Sequence, residues 1–183
     1  MKIGKTLYIT KREDWRRWLA KNYNNKKEIW LIYYKKSSGK KMIDYSEAVE
    51  EALCYGWIDS IVKRIDDEKH AQRFSPRRKG SQLSEINYER VKKLIREGKM
   101  TEEGLNAIKL TKRELKIKPD VLKELKKNKE AWENFRKFPD SYQRVRIAYI
   151  ESQRKHSKQA FFKSLNNFIR LTEKNKQFGS WKE

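Results

Sequence analysis

One cysteine, two histidines and three prolines among 183 residues exclude several classes of protein before any motif is read. Cys54 is alone, so no internal disulfide can form, and no cysteine–histidine cluster offers the spacing of a zinc site. Its place on the apolar side of an expected helix makes it a buried thiol rather than a nucleophile. His70 and His156 stand without a triad pattern, which leaves nucleophilic catalysis without an evident base. No stretch approaches the roughly 18 apolar residues of a membrane span, and MKIGKTLYIT holds no apolar run of signal-peptide length. The expectation is a soluble, cytoplasmic protein with no membrane span and no cofactor. Ser37–Lys41 is a polar loop with one glycine and lacks the Gly-x-x-x-x-Gly-Lys-Ser/Thr pattern of a nucleotide P-loop. No internal repeat or low-complexity tract interrupts the chain.

What the chain does have is positive charge: 46 Lys and Arg against 25 Asp and Glu, a net of +21 and a pI near 10.0. A hydrophobic fraction of 37% and an aromatic fraction of 12%, with six tryptophans, mark a folded chain that buries a core. The surplus favours contact with polyanions, either nucleic acid or an anionic membrane surface. Its spread from Lys2 to Lys182 also suits a basic coat that does no more than solvate the protein. A thermophilic ion-pair network would need acids and bases in comparable numbers.

Periodicity divides the chain. Lys5–Ile9 reads as a short strand, and Thr10 with Glu13 as a capping box opening a helix whose Trp15, Trp18 and Leu19 recur at helical spacing. Those tryptophans read as core or as a stacking platform for bases. KEIWLIYYK (Lys27–Lys35) is apolar on both faces, as a central strand is. Asp44 and Glu47 cap a helix that runs to Cys54 and stops at Gly56. Trp57–Arg64 and His70–Ser75 form a hairpin about the Asp66–Lys69 turn, and Pro76 ends the ladder. Ser84 starts the next helix, Gly98 ends it, and Thr101 starts another. Lys- and Arg-rich LTKRELKIKPD follows, with Pro119 barring helix continuity. Helices are expected over 120–127, 129–137, 142–154 (with Ser141 as cap) and 158–174. Beyond them the tail from Gln177 frays unless Trp181 docks. The expected fold is α+β: a small antiparallel sheet of about four strands with packed helices over residues 1–112, a linker over 113–119, a helical module over 120–176 and a tail over 177–183.

The runs AVEEALCYGWIDS (Ala48–Ser60) and RFSPRRKGSQLSEINYERVKKLIREGKMTEEG (Arg73–Gly104) closely resemble the bacterial family described as bacteriocin-protection, YdeI or OmpD-associated. More loosely, FPDSYQRVRIAYIESQRKHSKQAFFKSLNNFI (Phe138–Ile169) is similar to that family's C-terminal helical module. The resemblance implies protection against antimicrobial peptides and association with a porin, without implying a reaction. Members usually carry tryptophan where this chain has Leu83, a position that either stacks on a ligand or packs.

The candidate site gathers Trp57, Asp59, Arg73, Arg77, Arg78, Ser81, Ser84 and Asn87. Arginine forks bind phosphate or carboxylate, and a helix starting at Ser84 would turn unpaired N–H groups toward the same anion. The same residues also allow a ligand-free arrangement, with Asp59 paired to Arg73 across the hairpin and Ser84 acting only as a cap. Three functional readings follow. The chain binds an anionic ligand or nucleic acid without turning it over; or it is an enzyme with Asp59 or Glu51 as acid/base and Arg77 or Arg78 stabilising charge; or it is a scaffold that meets a protein partner through its C-terminal helices. Glu50 and Glu51 diverge on consecutive helical positions, so they form no glycosidase-type dyad.

Overall fold

The computed structural model describes residues 2–179 and 181. Contacts divide the chain into two compact units, one of Met1–Leu83 with Arg90–Leu110 and the other of Ser84–Glu89 with Thr111–Glu183. The fold is α+β, with no helix long and apolar enough to cross a membrane among the described residues.

The first unit is built on strands β1 (Thr6–Leu7), β2 (Ile29–Tyr34), β3 (Trp57–Arg64) and β4 (Lys69–Pro76), with helices α1 (Arg12–Asn22), α2 (Tyr45–Cys54) and α4 (Glu102–Ala107) and most of α3 (Glu85–Arg96). Strand order is β1-β2-β4-β3, which places the doubly apolar β2 inside the sheet. The sheet is mixed rather than antiparallel: β1 runs parallel to β2, with Thr6 opposite Trp30 and Leu7 opposite Leu31. An 11-residue helix between them carries the chain back to its starting end, as a parallel neighbour requires. Antiparallel pairing describes β2–β4 and β3–β4, the latter irregular between Asp59 and Val62.

Two expected caps are replaced. Helix α1 opens at Lys11, one residue beyond Thr10, without a side-chain cap; Glu13 and Asp14 in the first turn complement its dipole instead. Helix α7 (Asp140–Gln153) follows Pro139, and Ser141 lies buried inside it. Asp44 does cap α2, accepting from the N–H groups of Ser46 and Glu47.

The core of this unit is aromatic. Trp15 is fully buried, stacks on Trp18 and meets Phe74 edge-on at 5.4 Å, while its indole N–H donates to the Ala48 carbonyl. Tryptophans 15 and 18 are therefore packing residues. Cys54 is buried at the end of α2, as its position on the apolar face requires.

The second unit holds α5 (Pro119–Lys127), α6 (Lys129–Lys137), α7 and α8 (Lys158–Glu173). Val121, Leu125, Phe135, Tyr142, Ile150, Phe161, Leu165 and Phe168 make its core, and Trp181 joins them. Leu115 and Ile117 also pack there, so the extended segment before α5 is tied down by alternate apolar residues rather than spanning freely.

Candidate functional site

The sheet sends the expected site residues to different places. Asp59 stands opposite Phe74 in the β3–β4 ladder, so the two share a face. Arg73 is the next residue along β4 and emerges on the other. There its Nε donates to Glu28 Oε2 at 2.7 Å, and its Nη1 reaches the hydroxyls of Ser60 and Ser75 at 3.3 Å. The ligand-free pairing of Asp59 with Arg73 is thus replaced by Glu28–Arg73. Hydrogen bonds from Arg73 and the Trp30 indole hold the Glu28 carboxyl below its ordinary pKa.

Asp59 instead accepts a 2.5 Å hydrogen bond from the Tyr45 hydroxyl in the first turn of α2. Around them lie Tyr33 of β2, whose buried hydroxyl has no hydrogen-bond partner among the described residues, and Arg90 of α3, whose Nη2 donates to Ser46 Oγ at 2.9 Å. Burial first, and then the Asp59 carboxylate, pushes the Tyr45 hydroxyl well above its ordinary pKa, so Tyr45 stays a donor. His70 is the cross-strand neighbour of Tyr33 and stacks on its ring at 5.6 Å. Sequence reading missed Tyr33, Tyr45 and Arg90. Arg90 left a signal: it precedes Val91 and lies four residues before Leu94, a cation on the buried stripe of an amphipathic helix.

Trp57 is core: it is buried, its indole N–H donates to the Tyr23 carbonyl at 3.0 Å, and Trp18 packs on its ring. Leu83 is buried too, so at this position the side chain packs. Glu51 is committed elsewhere, accepting from Arg12 Nε at 2.6 Å and Arg16 Nη1 at 2.7 Å while 2% exposed.

Arg77 is different. Its Nη2 donates to the Ser81 carbonyl at 2.9 Å and the Ser81 hydroxyl at 3.1 Å, so the loop holds its own arginine in place. Among the described residues its buried Nε has no hydrogen-bond partner, and burial alone lowers its pKa, with no carboxylate opposing the shift. Arg78, Lys79 and Gly80 follow, all exposed. Ser84 and Asn87 belong to the second unit, where the Ser84 hydroxyl accepts from the Asn87 N–H at 3.3 Å as a helix cap. Of the eight expected residues, Arg77, Arg78 and Ser81 thus share one loop, and the other five are distributed among the core, the two sheet faces and a helix cap. Among the described residues, no group of three or more His, Cys, Asp or Glu side chains is placed to hold a metal ion.

Comparison with known families divides the chain near the same point as its contacts do. A domain of unknown function, DUF8412, matches residues 7–107, and the family described as bacteriocin-protection, YdeI or OmpD-associated matches residues 114–160 over part of its length. The Ala48–Ser60 and Arg73–Gly104 runs fall within the first match, and Phe138–Ala160 within the second. No curated protein and no solved structure matches the chain.

Proposed function

We propose a function for a chain that belongs to the DUF8412 family and carries a YdeI/OmpD-associated segment: intracellular binding of a phosphate group, on nucleic acid or on a small molecule, by the Arg77–Ser81 loop. The observation that carries the reading is Arg77, a half-buried guanidinium positioned by Ser81 and faced by no carboxylate among the described residues. A fork fixed in advance loses little side-chain entropy when an anion arrives. Arg78 and Lys79 extend the cationic edge, and the net charge of +21 steers anions toward the protein.

The enzymatic reading has less support. Glu51, one of its two acids, is buried beneath two arginines, and Asp59 is held by a tyrosine that keeps its proton. Bacteriocin protection, from the description of the 114–160 match, is the biological setting we attach to anion binding. A protein this basic repels a cationic peptide, so protection would act through the peptide's anionic targets.

The test is electrophoretic binding to mixed-sequence DNA and RNA across salt concentrations. Contact with about six phosphates makes affinity fall roughly a thousandfold between about 50 and 200 mM salt. Arg77→Ala should reduce the salt slope by about one and leave the stability of the free protein within about 1 kcal/mol of wild type. Absent or salt-insensitive binding, together with no thermal stabilisation by inorganic phosphate, rejects the reading.

A further inference from the structure

Arg146 of α7 lies between Val145 and Ile147 in the second unit and is 6% exposed. A guanidinium does not give up its proton, so this is a buried charge. The fold supplies carboxylates to neighbouring arginines: Arg144 has Glu89 at 2.5 Å, and Arg154 has Asp120 at 2.6 Å and Glu151 at 2.9 Å. Arg146 has none among the described residues. Its contacts are aromatic, the Phe178 ring at 4.1 Å and the Tyr149 ring at 4.9 Å, and its buried Nε has no hydrogen-bond partner. Cation–π contact with these rings attracts the guanidinium but supplies no counter-ion.

The side chain lines a cavity of about 530 Å³, a volume suited to a small molecule. Lys163 adds a second cation, Gln153, Ser164 and Asn167 add neutral hydrogen-bonding groups, and no carboxylate lines the space among the described residues. Its aromatic wall is held in position, since the Phe178 N–H donates to the Tyr142 hydroxyl at 3.1 Å. Gly179 has φ +96, and a Cβ there would lie 2.6 Å from Arg146 Nη1. Both the backbone conformation and the room for the guanidinium therefore depend on glycine.

We infer that this cavity is a second site, separate from the Arg77 loop, for a small organic anion. A carboxylate or phosphate pairs with Arg146 and Lys163 while an apolar body lies against Tyr149 and Phe178. A buried fork with no acid of its own, an apolar wall and a rim of neutral polar groups are complementary to that chemistry and to no cation.

The test is titration of the full chain with benzoate, phenyl phosphate and inorganic phosphate, followed by calorimetry and thermal shift, with neutral benzamide as control. The expected result is saturable binding of at least one anion with a Kd at or below about 1 mM and none of benzamide. Arg146→Lys and Gly179→Ala should each raise that Kd about tenfold or more, Lys163→Gln should raise it less, and Arg77→Ala, which removes the phosphate site of the loop, should leave the benzoate Kd unchanged. Benzoate binding without inorganic phosphate identifies a carboxylate ligand with an apolar body; binding of both phosphates without benzoate, kept in Arg77→Ala and weakened by Arg146→Lys, identifies a phosphate-bearing one. The inference is overturned if none of the three anions saturates by about 10 mM, a concentration beyond any specific affinity at issue, or if benzamide binds equally well. It is also overturned if Arg146→Lys, folded by circular dichroism, binds as wild type. If Arg146→Lys does not fold, Gly179→Ala and Lys163→Gln decide, and an unchanged Kd in both rejects the site.

Discussion

Asp59 and Arg73 lie on opposite faces of the sheet: Asp59 is opposite Phe74, and Arg73, one residue before Phe74, pairs with Glu28 at 2.7 Å. Among the described residues the two share no side-chain hydrogen-bond partner. A double-mutant cycle of Asp59→Asn with Arg73→Ala should therefore be additive to within about 0.5 kcal/mol. The cycle of Glu28→Gln with Arg73→Ala should show coupling of about 1 kcal/mol, modest because both side chains remain partly solvated. Urea unfolding of the four variants measures both.

The same pair sets a pH dependence. The folded pKa of Glu28 is depressed, by Arg73 first and the Trp30 indole second. Its stabilisation is complete above the unfolded glutamate pKa of about 4.3 and is lost as pH falls through the lower folded value. The stability gap between wild type and Glu28→Gln should be constant near neutrality and close below that point. Unfolding curves between about pH 7 and pH 3 would show it; a gap that widens in acid would contradict the assignment.

Glu51 is buried between Arg12 and Arg16. Glu51→Ala leaves two guanidinium groups without their central acceptor and should cost about 3 kcal/mol. If Glu51 instead served catalysis, its removal would leave the melting temperature near that of wild type.

Burial raises the Cys54 thiol to a pKa of about 11. At pH 8 the thiolate is scarce and enclosed, so iodoacetamide should modify the native protein about a hundredfold more slowly than the urea-unfolded chain. Mass spectrometry of timed samples measures the ratio.

Gly104 allows α4 to approach the end of α2, where the Thr101 hydroxyl and N–H both donate to the Cys54 carbonyl, at 2.6 and 3.2 Å. A methyl group at residue 104 would collide with that carbonyl group, lying 2.7 Å from its carbon. Gly104→Ala should cost about 1–3 kcal/mol, the range for overpacking against backbone. Thermal unfolding tests this, and a neutral effect would mean that α4 shifts freely.

Local pattern alone located most elements. Helix α6 falls at 129–137, α5 and α8 within a residue of expectation, and Asp44 caps α2, because helical periodicity and capping depend on residues a turn or two apart. The β3–β4 hairpin was legible for the same reason, its turn lying between adjacent strands. The parallel direction of β1 was not, since it depends on where α1 delivers the chain. Side-chain partners were less legible still. Register decided that Arg73 meets Glu28, 45 residues away in sequence, and packing decided that Asp59 meets Tyr45.

Sequence by itself determined the α+β class, the boundaries of α5, α6 and α8 to within a residue, the positive charge and the buried cysteine, all of which follow from composition or short-range periodicity. Tertiary structure alone decided which arginines are neutralised. A one-residue step along a strand reverses the face a side chain occupies, and the distance from a cation to a distant carboxylate is written only in the packed chain. Arg73 is answered by Glu28, whereas Arg77 and Arg146 face no carboxylate among the described residues.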